Sequence, residues 1–271
     1  MRTLAIFLLA AASAAAQNNA LTPEEAAEGW RLLFDGKTMN GWADPSKKNP
    51  PGDAWVIEDG CLKTVRGARI SEDLLTEESF GNFELKLDWR VSPGGNTGVK
   101  YRIQNTVFVD PVRNPPDPRG FEAWLGHELA HELSKRSALG PKGRGQEYSV
   151  GFELQLIDDE RHPDAKRGND RITGALYGMV APARRAPRPA GDWNSAKLVV
   201  YGNRVEHWIN GIVVLQSTLD CDEVRFGVSK RWALAPSIRN ALLNPKPAGR
   251  IALQYHGDVV WFRNIKIRTF E

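Results

Sequence analysis

Between Phe83 and Val91 apolar and polar residues alternate without a slip: Phe83, Leu85, Leu87 and Trp89 against Glu84, Lys86, Asp88 and Arg90. A two-residue period sends successive side chains to opposite faces, so the stretch predicts a half-buried strand with a wet outer face. The same period recurs in "GVKYRIQ", "VGFELQLID", "SAKLVVYGNRVEHWINGIVVLQST" and "RIALQYH", and "EVRFGVS" reads as a further strand. Asp59-Gly60 divides residues 54–65 into a hairpin, and Gly202-Asn203 and Asn210-Gly211 turn the chain twice within one meander. In "VWFRNIKIR" Val260 and Phe262 take one parity, Ile265 and Ile267 the other, which predicts a bulge near Arg263-Asn264.

Helical pattern is scarce. "TPEEAAEGW" predicts one short helix, with Thr22 as its cap, Pro23 at its first position and acids in its first turn. A second is expected over 122–133. Two segments, 110–149 and 158–193, break the strand rhythm, and long irregular insertions of this kind often wall a functional site. Many short strands with turn signals between them predict an all-β, two-sheet antiparallel sandwich with long loop insertions.

Alternation also says which polar residues share a face. Glu153 and Gln155 oppose Phe152, Leu154 and Leu156; Lys100 and Arg102, downstream of Asn96, oppose Val99 and Tyr101; Gln254 and His256 oppose Leu253 and Tyr255. His207 falls in step with Val205 and Ile209. A face of acid, base and amide groups flanked by long loops suits either a site or a solvated surface. Glu153 and Asp158 raise the option of a two-carboxylate glycosidase, whose retaining form needs carboxyls about 5 Å apart. His127 and His131 in "HELAHEL" match a zinc-protease string, but the short helix lacks a third ligand downstream. Asp158, Asp159 and Asp164 could hold calcium, though a solvated acidic loop accounts for them better. No metal ligand is assigned on this basis; the cofactor stays unknown, a divalent metal being one option left open.

Composition narrows the class. The formal net charge is +3, and the one basic cluster, at 184–189, is broken by proline and has no interleaved aromatics, which argues against a nucleic-acid partner. Residues 1–16 carry Arg2, an apolar run and a small-residue end at Ala14–Ala16, the pattern of a cleaved signal peptide, so the protein is expected to be secreted or periplasmic. No later stretch is long and apolar enough for a membrane helix. Nine tryptophans raise the option of sugar stacking. Cys61 and Cys221 read as two unpaired thiols on separate strands.

The strings "LLFDGKTMNGW", "GNFELKLDWRVSPGGNTGVKYRI", "GFELQLIDDERHPDAK", "TGALYG", "DWNSAKLVVYGNRVEHWINGIVV" and "GRIALQYHGDVVWFRNIKI" together resemble the 3-keto-disaccharide hydrolase family. The resemblance implies a concanavalin A-like jelly roll over 30–271, after a segment 17–29 with the short helix; the 110–149 insertion departs from the family pattern. It implies cleavage of glycosides already oxidised at C3, by loss of the C2 proton, elimination and addition of water. A sugar 3-dehydrogenase would then act upstream. The expected catalytic set is Glu153 or His256 as base, Lys100 with Gln155 near the developing oxyanion, and His207 as a further proton carrier. Asn96, Arg102, Gln155, Tyr177, Trp193 and Gln254 would bind the substrate. A non-catalytic carbohydrate-binding module is the alternative from another class.

Overall fold

The structure, a computed structural model, describes residues 17–43, 53–112, 115–127 and 144–270. Residues 1–16, expected from their pattern to be a signal peptide, lie outside them, as does His131 of the zinc-protease string.

Two sheets face each other. One runs, edge to edge, β12 (Ile212–Thr218), β11 (Arg204–Ile209), β10 (Asn194–Tyr201), β7 (Phe83–Val91), β14 (Val260–Thr269), β4 (Cys61–Thr64) and β3 (Trp55–Glu58), with β1 (Arg31–Leu32) also against β14. The other runs β2 (Trp42–Ala43), β6 (Leu74–Thr76), β13 (Ala252–Leu253), β8 (Asn96–Val109), β9 (Gly145–Ile157) and β5 (Ile70–Ser71). Neighbours pair antiparallel except β5 on β9. The inward rows, Phe83, Leu85, Leu87 and Trp89 from one sheet and Val99, Tyr101, Phe152, Leu154 and Leu156 from the other, form one core. Each fully buried large apolar side chain contributes about 1.5–3 kcal/mol.

Local chemistry sets the corners. Asp59 and Gly60 take φ of 50° and 70°, the paired left-handed conformation of a two-residue hairpin turn. The register of β14 slips between Arg263 and Lys266, with Asn264 at φ 54°, and this returns both Ile265 and Ile267 to the core. Helix α1 (Pro23–Ala27) opens on a capping box: Thr22 Oγ1 accepts the Glu25 N–H, and Glu25 accepts the Thr22 N–H.

Residues of "EVRFGVS" do not form a strand. They lie in helix α3 (Asp222–Arg231), which is followed by α4 (Pro236–Leu243). Val224 and Val228, one turn apart, are buried while Phe226 between them is 69% exposed, so the three apolar residues follow a helical period and not a two-residue one. Acids Asp222 and Glu223 in the first turn and Lys230 and Arg231 in the last complement the helix dipole. The helix expected over 122–133 is α2 (Phe121–Leu125) within the described residues, and His127 follows it. Cys61 and Cys221 are free; Cys221 caps α3 instead of sitting on a strand.

Candidate active site

The outward face of β8 and β9 is roofed by the two long insertions. Residues 173–180 run along the free edge of β9: Gly174 N–H donates to the Gln155 carbonyl at 2.8 Å and Tyr177 N–H to the Glu153 carbonyl at 3.0 Å. Upstream, His162 begins a short 3-10 turn (Pro163–Lys166) and Asp164 lies in it. The 110–149 insertion contributes Arg119, Phe121 and Glu122, and the last turn of α3 delivers Arg231. Together with Asn96, Gln155, Gln254 and His256 these enclose a cleft of about 530 Å³ with Glu153 in it.

Glu153 is 3% exposed. Its side chain lies over Gly98, where an added Cβ would come within 2.8 Å of the Glu153 Cγ; the missing side chain is what makes room for the carboxylate. Burial pushes the Glu153 carboxyl up, and the nearby Lys100 and Arg231 charges pull it only part of the way back. In the orientation that satisfies both ends of its amide, Gln155 donates to Glu153 Oε1 at 3.2 Å and to the Thr97 carbonyl at 3.1 Å. Gln254 Oε1 is buried without a hydrogen-bond partner among the described residues, an acceptor left for a ligand hydroxyl.

Arg231 carries the cleft's buried positive charge. Its contacts are long, 3.4 Å to Glu122 Oε1, 3.5 Å to the Tyr177 carbonyl and 3.3 Å to the Tyr148 hydroxyl, and its guanidinium carbon stands 4.5 Å from the Tyr177 ring centroid. Burial alone would lower it, but Tyr148, Tyr177 and Glu153 hold it above the usual arginine range. Tyr177 donates to Asp164 at 2.6 Å and accepts from Arg171 at 2.6 Å, and burial holds its phenol above the usual range. It is a fixed wall.

His256 stands at the mouth, its side chain 44% exposed, with Nδ1 3.7 Å from Asp258 Oδ2. That carboxylate oxygen accepts the Asn96 N–H at 3.1 Å, which fixes its place. The His162 ring lies 5.4 Å from the His256 ring, and burial, with His256 adding to it, lowers the His162 value. His162, His256 and Asp258 are the only group among the described residues whose metal-ligand atoms all fall within 4.8 Å of one another. Yet His162 Nδ1 accepts the Asp164 N–H at 3.1 Å, so the neutral ring carries its proton on Nε2. Metal on Nε2 would need the opposite tautomer. The expected acidic cluster does not converge either: Asp158 accepts the N–H groups of Gly94, Glu160 and Arg161, Asp159 that of Thr173, and Asp164 binds Arg167, Arg171 and Tyr177. Asp158 is a loop clamp outside the cleft, so it does not complete a carboxylate pair with Glu153.

Six of the expected residues line the cleft: Glu153, His256, Gln155, Asn96, Tyr177 and Gln254. Four do not. Lys100 pairs with Glu153 across β8 and β9 but is fully buried, its Nζ 2.7 Å from Asp73 Oδ2 and 3.9 Å from the Tyr148 ring centroid. Burial pulls the ammonium down, and Asp73, Tyr148 and Glu153 more than offset it. Lys100 reaches the site only through its field at Glu153. Arg102 has φ 50° where the β8–β9 register breaks, and its guanidinium bonds the Gly202 and Lys246 carbonyls outside the cleft. Trp193 is stacked by Arg263 at 3.9 Å and Arg90 at 4.9 Å.

His207 is an interior brace. It spans the two sheets, its Nδ1–H donating to the Gly174 carbonyl at 3.0 Å and its Nε2 accepting from the Tyr101 hydroxyl at 3.1 Å. Burial lowers its pKa to about 4, so it stays neutral where a proton carrier would titrate. The unfolded chain takes up this proton near 6.5 and the folded chain only near 4, so acid favours unfolding. The contribution is full above pH 6.5 and falls by about 3 kcal/mol as the pH drops to 4. Urea titrations at pH 7 and 4.5 should show a smaller acid loss in His207→Gln than in the unaltered protein; equal losses would contradict the assignment.

Arg231, His162 and Asp258, the partner of the expected His256, were missed as site residues by sequence reasoning. The charged ends of "DEVRFGVSKR" were the available signal for the helix that carries Arg231; nothing local marked His162.

The 3-keto-alpha-glucoside-1,2-lyase-like domain family profile matches residues 29–268. A 3-keto-disaccharide hydrolase of Bacteroides thetaiotaomicron is 33% identical over 272 residues, spanning 95% of this chain and 84% of that protein. Among solved structures, a candidate glycosyl hydrolase of Parabacteroides distasonis is 27% identical with a TM-score of 0.69, covering 94% of this chain and all of its own. A second from that organism, at 22% identity and a TM-score of 0.58, covers 89% and 99% and shows the shared fold. With its two-sheet jelly roll and its matched length, the chain belongs to the 3-keto-alpha-glucoside-1,2-lyase-like domain family.

Proposed function

We propose that this glycoside hydrolase cleaves 3-keto-glycosides, 3-keto-disaccharides among them, by proton abstraction at C2, elimination and hydration. Glu153 carries this reading: a buried carboxyl with a raised pKa, seated over Gly98, with cations behind it and no free carboxylate partner among the described residues. The B. thetaiotaomicron relative's name supports the substrate class.

The chemistry follows from the ketone. A C3 carbonyl acidifies the C2 hydrogen, and Glu153 takes that proton while the C–H pair becomes an enolate. Arg231 faces the charge that develops on the C3 oxygen. The enolate then expels the C1–O bond, whose oxygen keeps the pair and takes a proton from His256, oriented by Asp258. Water adds hydroxyl at C1 and a proton at C2 of the enone, so one water is consumed per bond cleaved. A neighbouring reaction must oxidise the C3 hydroxyl first, a hydride transfer of the sugar 3-dehydrogenase type. The signal-like residues 1–16 support action outside the cytoplasm. Purified protein given a 3-keto-glucoside and its unoxidised parent should release aglycone from the first alone. Release from the parent, or from neither, would contradict the proposal.

A further inference from the structure

A second hollow adjoins the cleft. It encloses about 570 Å³ and is lined by Gly67, Ala68, Ser71, Arg144, Gln146, Tyr255 and Gly257, and it shares two residues with the first: Phe121 and His256. Glu153 and Arg231 line only the first. We propose that the second hollow receives the departing sugar of a disaccharide, a pyranose recognised through its hydroxyls. The assignment rests on the functional reading above and extends it to the leaving group.

The geometry orders the two units. A ring losing its C2 proton must sit by Glu153, in the first hollow. A bond leading from that ring into the second hollow has to pass the partition formed by Phe121 and His256. That places His256 beside the glycosidic oxygen, where a proton is needed as the C1–O bond breaks.

The lining suits a polyhydroxylated group. Ser71 and Gln146 are register partners on the parallel strands β5 and β9, so their side chains project together. Neither they nor Arg144 has a side-chain hydrogen-bond partner among the described residues. The Tyr255 hydroxyl, by contrast, is committed, accepting the Ala68 N–H at 3.1 Å and donating to the Val65 carbonyl at 2.8 Å; it forms the back wall. Phe121 and Arg144 come from the 110–149 insertion, and Gln146 from the start of β9. Phe121, Arg144, Gln146 and Ser71 thus select the leaving group, while Glu153 and Arg231 in the first hollow carry the reaction.

The test compares kcat/KM for a 3-keto-disaccharide with that for the methyl 3-keto-glucoside, in the unaltered protein, Gln146→Ala and Arg144→Ala. Comparing variants by the ratio of the two substrates cancels the different acidities of methanol and a sugar alcohol. The ratio should fall at least tenfold in each variant. Arg144 is exposed, so its replacement does not endanger folding. An unchanged ratio, or equal losses on both substrates, would overturn the subsite while leaving the functional reading standing. Turnover of neither substrate by the unaltered protein would overturn that reading and the subsite with it.

Discussion

Glu153→Gln should lower kcat on a 3-keto-glucoside by about 10²–10⁴-fold, the usual contribution of a positioned general base. The amide keeps the carboxylate's shape above Gly98 but cannot accept the C2 proton. Its thermal midpoint should hold or rise, because the replacement removes a buried charge that desolvation disfavours. The raised Glu153 pKa also predicts that activity is lost on the acid side at a pH above the ordinary carboxylate value of 4.5. Lys100 pulls that pKa down, so Lys100→Met should move the acid limb to higher pH. Single-turnover rates across pH report both effects. Full activity in Glu153→Gln would remove it from the mechanism.

Asp73→Ala should destabilise the fold by about 3–5 kcal/mol, the cost of stranding one member of a buried ion pair. The Asp73 carboxylate meets Lys100 Nζ at 2.7 Å and also accepts the N–H groups of Ser149 and Tyr255, at 3.3 and 3.1 Å. Those bonds tie the loop between β5 and β6 to β9 and to the end of β13, so the pair locks three segments beneath the site. With Asp73 gone, the Lys100 charge is left against the Tyr148 ring and Glu153. The double variant Asp73→Ala, Lys100→Met should recover part of the loss, since no lone charge remains while two backbone donors stay unpaired. Chemical denaturation of the two singles and the double measures this coupling. A loss under 1 kcal/mol for Asp73→Ala would show that the pair contributes nothing net.

Much of the fold could be read from local pattern because a two-residue period fixes which face each side chain takes. The alternation of β7, the Asp59-Gly60 turn and the parity switch at Arg263-Asn264 are each set within a few residues. Glu153, Gln155, Gln254 and His256 were placed on one face by the same rule. The rule failed where the backbone leaves the period. At Arg102 a positive φ and a register break turn the next side chain away, and in 222–231 a short apolar alternation fits a helix as well as a strand. His207 was in step with Val205 and Ile209, so its parity already pointed inward. Arg231 and Phe121, on helices, and His162, on a loop, reach the cleft through tertiary packing over distances that no local period encodes.

Elimination requires that the C2 hydrogen leave the sugar. A 3-keto-glucoside carrying deuterium at C2, turned over in ordinary water and sampled early against its unreacted substrate, tests this directly. Elimination through Glu153 predicts slower turnover than with the unlabelled compound and a released 3-keto sugar that has lost its deuterium. Equal rates with the label retained at C2 would mean that the glycosidic bond breaks by direct displacement, and the mechanism built on Glu153 would fall.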